Sequence, residues 1–209
     1  QRIEQAANKG YDQLRKEHQE DYQKYFGRVS LQLTDNVPSV PTDKLLTEYK
    51  AGKANAYLEE LFFQYGRYLL ISSSRIGSLP SNLQGAWSQY EVSPWSGGYW
   101  HNINVQMNYW PVFNTNLSDM FDSYMAYNEA FRKSAMQKAT EYIKKNNPSA
   151  LSKDGDNGWT IGTGATAFGI EAPGKHSGPG TGGFTTKLFW DYYDFTRDKL
   201  LLKEHVYPA

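Results

Sequence analysis

Cysteine is absent from this chain, which excludes disulfides and thiolate-ligated zinc and leaves the redox compartment open. Net charge is absent too, because 22 basic side chains balance 22 acidic ones. A phosphate backbone is bound by clustered Lys and Arg, so this balance argues against a nucleic-acid binder. No block of like charge forms an acidic or basic tail. Nor does any run approach the ~18 consecutive apolar residues of a membrane span. LLISSS, at 69–74, is too short. The opening residues, QRIEQAANKGYDQL, have no apolar signal core and do not begin with methionine. They read as a cut or processed end, and LLKEHVYPA at the other end stops where a new helical pattern begins. Both termini are therefore expected to be the edges of a fragment.

Several catalytic signatures are missing as well. The four histidines (18, 101, 176 and 205) are scattered, with no HExxH and no pair at metal-ligand spacing. No GxSxG marks a nucleophilic serine. Residues 151–183 are rich in glycine but contain no GxxxxGK[ST], so they are not a phosphate loop. No fixed-period repeat is visible, which argues against a regular solenoid.

What the chain does have is rings. Aromatic residues make up 15% of it, with 16 Tyr, 10 Phe and 6 Trp, while its mean hydropathy is low at -0.69. Aromatic faces stack on sugar C–H surfaces and on bases alike, and the neutral charge favours sugar. The plain alternative is a tyrosine-rich core.

Periodicity predicts a largely helical chain. Residues 1–26 read as a polar helix with one narrow stripe of Tyr11, Leu14, His18, Tyr22, Tyr25 and Phe26. GRVSLQL (27–33) alternates like a short strand, and TDNVPSVPTD (34–43), with two prolines, reads as a linker. A short helix over Asp43–Tyr49 precedes a longer one over 56–71. Residues 72–101 form a long loop of the kind that carries function. A helix starts within HNINVQMNYW. Another runs from Ser118, as N-cap, to about Lys145, and buries Met120, Phe121, Tyr124, Met125, Phe131, Ala135, Ala139 and Tyr142. Residues 151–183 are a second long excursion. Phe184–Phe195 is helical, followed by a charged turn and a new helix near Lys199. Almost no strand is expected after residue 33, so the fold class is all-α, with elaborate loops at one end of the helices.

The stretch WHNINVQMNYWP (100–111) sets three asparagines and a glutamine among tryptophans, with no carboxylate or lysine. Carboxamides are costly to bury without partners, and each carries both a donor and an acceptor. Asn102 and Asn104, one residue apart at a helix mouth, suit a water molecule or vicinal sugar hydroxyls. The alternative is that Asn102 caps the helix and Asn104 bonds loop backbone. Two carboxylates lie in apolar settings: Glu171, in FGIEAPG, and Asp191, between Trp190 and Tyr192. Desolvation raises the pKa of such an acid and fits it for proton donation. The alternative for Asp191 is an exposed helix face with Lys187, four residues earlier, as its partner. Asp194 and Asp198 have that outward character.

The chain resembles glycoside hydrolase family 95, the inverting α-L-fucosidases and related α-L-galactosidases. FFQYGRYLLISSSR (62–75), LPSNLQGAW (79–87), NINVQMNYWP (102–111) and FWDYYDFTRDK (189–199) carry the resemblance, in the family's order. It implies part of an (α/α)6 toroid over 37–209, preceded at 1–36 by a linker helix and short strand that join an N-terminal domain. It further implies a single displacement on a terminal sugar of an oligosaccharide or glycan. A carboxylic acid protonates the departing oxygen, and a water held by two asparagines and an aspartate attacks from the opposite face. Asn102 and Asn104 match those asparagines. Asp191 stands where the family's acid is usually glutamate, and Glu171 is the alternative donor. Trp100, His101 and Trp159 are further candidates for sugar contact, with Trp100 and His101 standing where the family has a histidine and a small polar residue. The base aspartate is expected beyond Ala209, so the 209 residues alone are expected to be inactive and to need the remainder of their own polypeptide. No cofactor, metal, nucleic acid or membrane partner is implied. Export to the periplasm or the exterior is expected from the resemblance alone. Two rival readings are a non-catalytic carbohydrate-binding homologue and a helical interaction module.

Overall fold

The computed structural model describes residues 2–166, 169–170 and 180–209. The chain divides into two compact units, Gln1–Ile71 and Ser72–Ala209.

The first unit is built from α1 (Arg2–Ala7), α2 (Tyr11–Phe26), α3 (Thr42–Lys50) and α4 (Ala56–Ser73). The single helix expected over 1–26 is thus two. Gly10, with extended backbone, interrupts it at the start of α2, a position where glycine's poor helix propensity favours a break. The stripe of α2 stacks on itself, with His18–Tyr22 and Tyr22–Phe26 centroids 6.5 and 5.0 Å apart. Asn55 begins α4 by accepting a 2.9 Å hydrogen bond from the Leu58 amide, as an N-cap does.

GRVSLQL is not a strand. Its backbone is satisfied by side chains of α4 instead of by another strand. Arg67, only 2% exposed, donates to the carbonyls of Tyr25, Phe26 and Val29 at 2.9–3.0 Å and to Gln64 Oε1 at 2.9 Å. Glu60 accepts from the amides of Leu33 and Thr34. A buried main-chain group must find a partner, and here charged side chains supply it without a ladder.

The second unit holds the helices α5 (Asn104–Tyr109), α6 (Phe121–Asn146), α7 (Thr181–Thr196) and α8 (Lys199–Leu201). Asp198 caps α8 by accepting from the Leu200 and Leu201 amides at 2.8 and 3.1 Å. The fold is predominantly helical, as anticipated, but strands do occur after residue 33. β1 (Tyr99–Trp100), β2 (Gly164–Thr166) and β3 (Gly169–Ile170) form an antiparallel sheet in that order. Tyr99 pairs with Ala165, and Ala165 with Ile170. The His101 amide prolongs the first ladder by donating to the Thr163 carbonyl at 2.6 Å. Strands of two or three residues show no alternation, so periodicity cannot find them.

Ser118 is not the N-cap of α6. It opens a 3-10 turn, Ser118–Met120, and makes no capping bond. Of the stripe anticipated on α6, Met120, Phe121, Tyr124, Ala135 and Ala139 are buried and Met125 and Phe131 partly so, while Tyr142 is 44% exposed. Rings dominate this core: Phe121 packs against Tyr124 and Phe189 at centroid distances of 5.2 and 5.5 Å. Each buried phenol has a partner, as amphipathic rings require. Tyr124 donates to the Thr185 carbonyl at 2.9 Å. Tyr109 meets Ser74 Oγ at 2.6 Å, Ser123 Oγ at 3.1 Å and the Ser81 amide at 2.8 Å. Part of the chain's aromatic excess is therefore core. Among the described residues no helix is long and apolar enough to cross a membrane.

Candidate active-site cleft

The four amides of NINVQMN divide between fold and surface. Gln106 is fully buried, and its Nε2 donates to the His101 carbonyl at 2.7 Å and to Thr185 Oγ1 at 3.0 Å, tying α5 to α7. Asn108 Nδ2 donates to the Ser81 and Asn82 carbonyls, both at 3.3 Å. Together with the bond from the Ser81 amide to Tyr109, this fastens LPSNLQGAW onto α5. Asn102 and Asn104 do neither. Ile103 stands at the N-cap of α5 without a capping bond, so Asn102 is not the helix cap. Among the described residues the carboxamides of Asn102 and Asn104 make no hydrogen bond, although one is exposed and the other only partly buried.

Both asparagines line a cleft of about 410 Å³ with Leu83, Trp95, Trp100 and Thr163. Its size and its mix of large rings with a few polar groups are those of a small-molecule site. The walls have distinct origins. Trp100 comes from β1 and Thr163 from the segment just before β2. Leu83 comes from LPSNLQGAW. Trp95 begins a left-handed turn, with φ of 52° at Trp95, 57° at Ser96 and 60° at Gly97. Such backbone is costly for residues that bear a side chain and is found at ligand clamps. Gln84 Nε2 holds the turn by donating to the Pro94 carbonyl at 3.2 Å. Sequence reasoning placed Trp95 only within a long loop. Pro94 before it and Gly97-Gly98 after it were the turn signals that mark it.

The other anticipated contacts lie elsewhere. His101 is 0% exposed; its ring stacks against Tyr127, and Nε2 lies 3.1 Å from the Tyr127 hydroxyl. Burial pushes its pKa down to about 4, partly offset by backbone hydrogen bonds to Gly162 and Thr163. His101 is therefore a buried neutral ring against Tyr127, and is not among the residues that line the cleft. Trp159 is partly buried at a separate small niche with Phe189 and Asn128, and donates to the Ala209 carbonyl at 2.9 Å. Asp191 does not line the cleft. The buried face of α7 is marked by Thr181, Thr185, Leu188 and Phe189. At ~100° per residue, Asp191 sits about 105° from the centre of that face. Both of its oxygens receive Lys187 Nζ, at 2.6 and 2.7 Å. Glu171 lies outside the described residues, directly after β3. Among the described residues, the six that line the cleft include no carboxylate. They offer hydrogen bonding and ring stacking.

The model of the glycosyl hydrolase family 95 catalytic domain matches residues 10–209. The chain belongs to this family. Similar curated proteins carry names of the same kind. "Probable alpha-fucosidase A" of Aspergillus niger is 35% identical over 209 residues, covering 97% of this chain and 25% of that protein. "Alpha-L-fucosidase 2" of Arabidopsis thaliana is 32% identical over 218 residues, covering 99% of this chain and 24% of that protein. A protein of Aspergillus oryzae, also named "Probable alpha-fucosidase A", is 44% identical over 128 residues, covering 59% of this chain and 18% of its own length. The family 95 chain described here thus spans about a quarter of the length of the relatives it matches end to end. Two of the motifs that carried the resemblance, LPSNLQGAW and NINVQMNYWP, are the two that Asn108 and Tyr109 bond together beside the cleft of this family 95 domain.

Proposed function

We propose that the polypeptide carrying this family 95 domain is an inverting exo-glycosidase that releases terminal α-L-fucose or α-L-galactose from glycans. The observation that carries the reading is the pair of unpartnered carboxamides, Asn102 and Asn104, in a cleft walled by Trp95 and Trp100. Each amide donates and accepts, so the pair can hold one water with a lone pair left for attack, or grip adjacent hydroxyls of the sugar. The indole faces suit the apolar side of the ring. Inversion needs a carboxylic acid and a base on opposite sides of the sugar, ~6.5–9.5 Å apart, with the water between. Two carboxyls of this chain are candidates for the donor. Asp191 would have to leave Lys187, and Glu171 follows β3 directly.

In the whole protein, Asn102→Ala or Asn104→Ala is expected to lower kcat by ~10²–10³, the usual cost of losing one positioned hydrogen-bonding group. Cleavage at the wild-type rate by both variants refutes the reading. An NMR time course of the first product reads the anomer, which is β when an α-glycoside is inverted. Glu171→Gln and Asp191→Asn identify the donor: its loss is severe with natural glycans and mild with leaving groups that need no proton.

A second reading is a carbohydrate-binding homologue without turnover. The ion pair of Asp191 with Lys187 and the lack of a carboxylate among the described cleft-lining residues favour it. Sugar binding by calorimetry, with no product from the whole protein, selects it.

A further inference from the structure

Beside the asparagine cleft lies a second of about 460 Å³. Trp95 and Trp100 line both. We infer that these two indoles divide one continuous glycan trough, and that the second cleft binds the sugar to which the terminal residue is linked. The inference rests on the glycosidase reading and adds to it the subsite that selects the leaving group.

The two clefts differ in chemistry. The first offers carboxamides. The second is floored by the three-stranded sheet, through Gly164, Ala165, Thr166 and Gly169, and among the described residues no charged side chain lines it. Glycines in strands open a surface for close approach by a ligand. Gly98 leaves little room for a side chain: a Cβ there would lie 3.2 Å from the Ala165 carbonyl and 3.4 Å from that of Trp95. A flat floor beneath two indoles fits the C–H face of a pyranose, with the Thr166 and Ser96 hydroxyls at its edges. The position of Trp95 is consistent with this use. A large ring that remains 70% exposed on two successive left-handed non-glycine residues contributes little to the core. Strain of this kind persists where it places a group for binding.

The test uses the whole protein and two substrates. One is the α-L-glycosyl fluoride, whose leaving group reaches nothing beyond the first cleft. The other is a disaccharide with the same terminal sugar. Thr166→Trp, at a residue that lines the second cleft and not the first, fills it from its exposed edge. It is expected to lower the ratio of kcat/KM for the disaccharide to that for the fluoride by roughly tenfold or more, the equivalent of one well-stacked ring face. For Thr166→Trp the change falls in KM. Equal losses on both substrates, or no loss, overturn the inference and leave the glycosidase reading standing. If the wild type cleaves neither substrate, that reading fails, and calorimetry with the monosaccharide and disaccharide decides the subsite. Extra affinity for the disaccharide that Thr166→Trp abolishes supports it, and equal affinities overturn it.

Discussion

Replacing Gln106 by leucine removes a carboxamide from a position with no exposed surface and inserts an apolar side chain of similar size. Two hydrogen bonds vanish, to the His101 carbonyl at 2.7 Å and to Thr185 Oγ1 at 3.0 Å. Each such bond contributes ~1 kcal/mol net, and each acceptor stranded in the interior costs ~1–3 kcal/mol. One term opposes this. Gln106 Oε1 is itself buried without a partner, so its removal relieves a similar penalty. The balance is a loss of about 2 kcal/mol. Asn102→Ala is the control. That carboxamide bonds nothing among the described residues, so the change is expected to stay within ~0.5 kcal/mol, as for ordinary surface substitutions. Urea unfolding of the polypeptide, with midpoints compared at constant slope, measures both. Equal midpoints for Gln106→Leu and wild type, or an Asn102→Ala loss above about 1 kcal/mol, would refute the division of the amides into structural and ligand-facing pairs.

Arg67→Met is expected to cost about 2 kcal/mol, since it strands the Phe26 carbonyl and leaves those of Tyr25 and Val29 only the Arg28 amide and Gln64 Nε2, at 3.3 and 3.4 Å; urea melts and proteolysis at 27–33 read the loss. Acidification should destabilise the protein through His101. Its folded pKa of about 4 lies below the usual 6.5, so between those values the unfolded state binds the proton and the folded state does not. Stability therefore falls by about 3 kcal/mol as pH drops across that window and levels off below it. His101→Gln should flatten this slope in pH-dependent thermal melts. Ser96→Gly, at φ 57°, is expected to raise stability by about 1 kcal/mol in thermal melts, and a clear loss would show that the left-handed turn is not strained.

The helices α3, α4, α6 and α7 were legible to within a few residues, because long apolar stripes at helical spacing reflect a one-dimensional rule. Motif order within the sequence pointed to the family that the domain match then established. The segment 27–33 was not legible: its alternation is genuine, but Arg67 and Glu60 of a distant helix claim its backbone, which no local pattern reveals. The short sheet failed for the related reason that its pairing joins residues far apart in the chain.

By itself the sequence determined the helical class, the absence of thiol and metal motifs, and the candidacy of Asn102 and Asn104, because residue type and spacing set hydrogen-bonding capacity and periodicity. Direction belonged to the tertiary structure. His101 and Asn102 are neighbours, yet one faces Tyr127 in the interior and the other faces the cleft. Asp191, flanked by rings in sequence, lies on the flank of α7 with Lys187. Trp95 entered the site through a left-handed turn that one bond from Gln84 holds. Which way a side chain points depends on the packing of elements remote in sequence, and only the folded chain settles that.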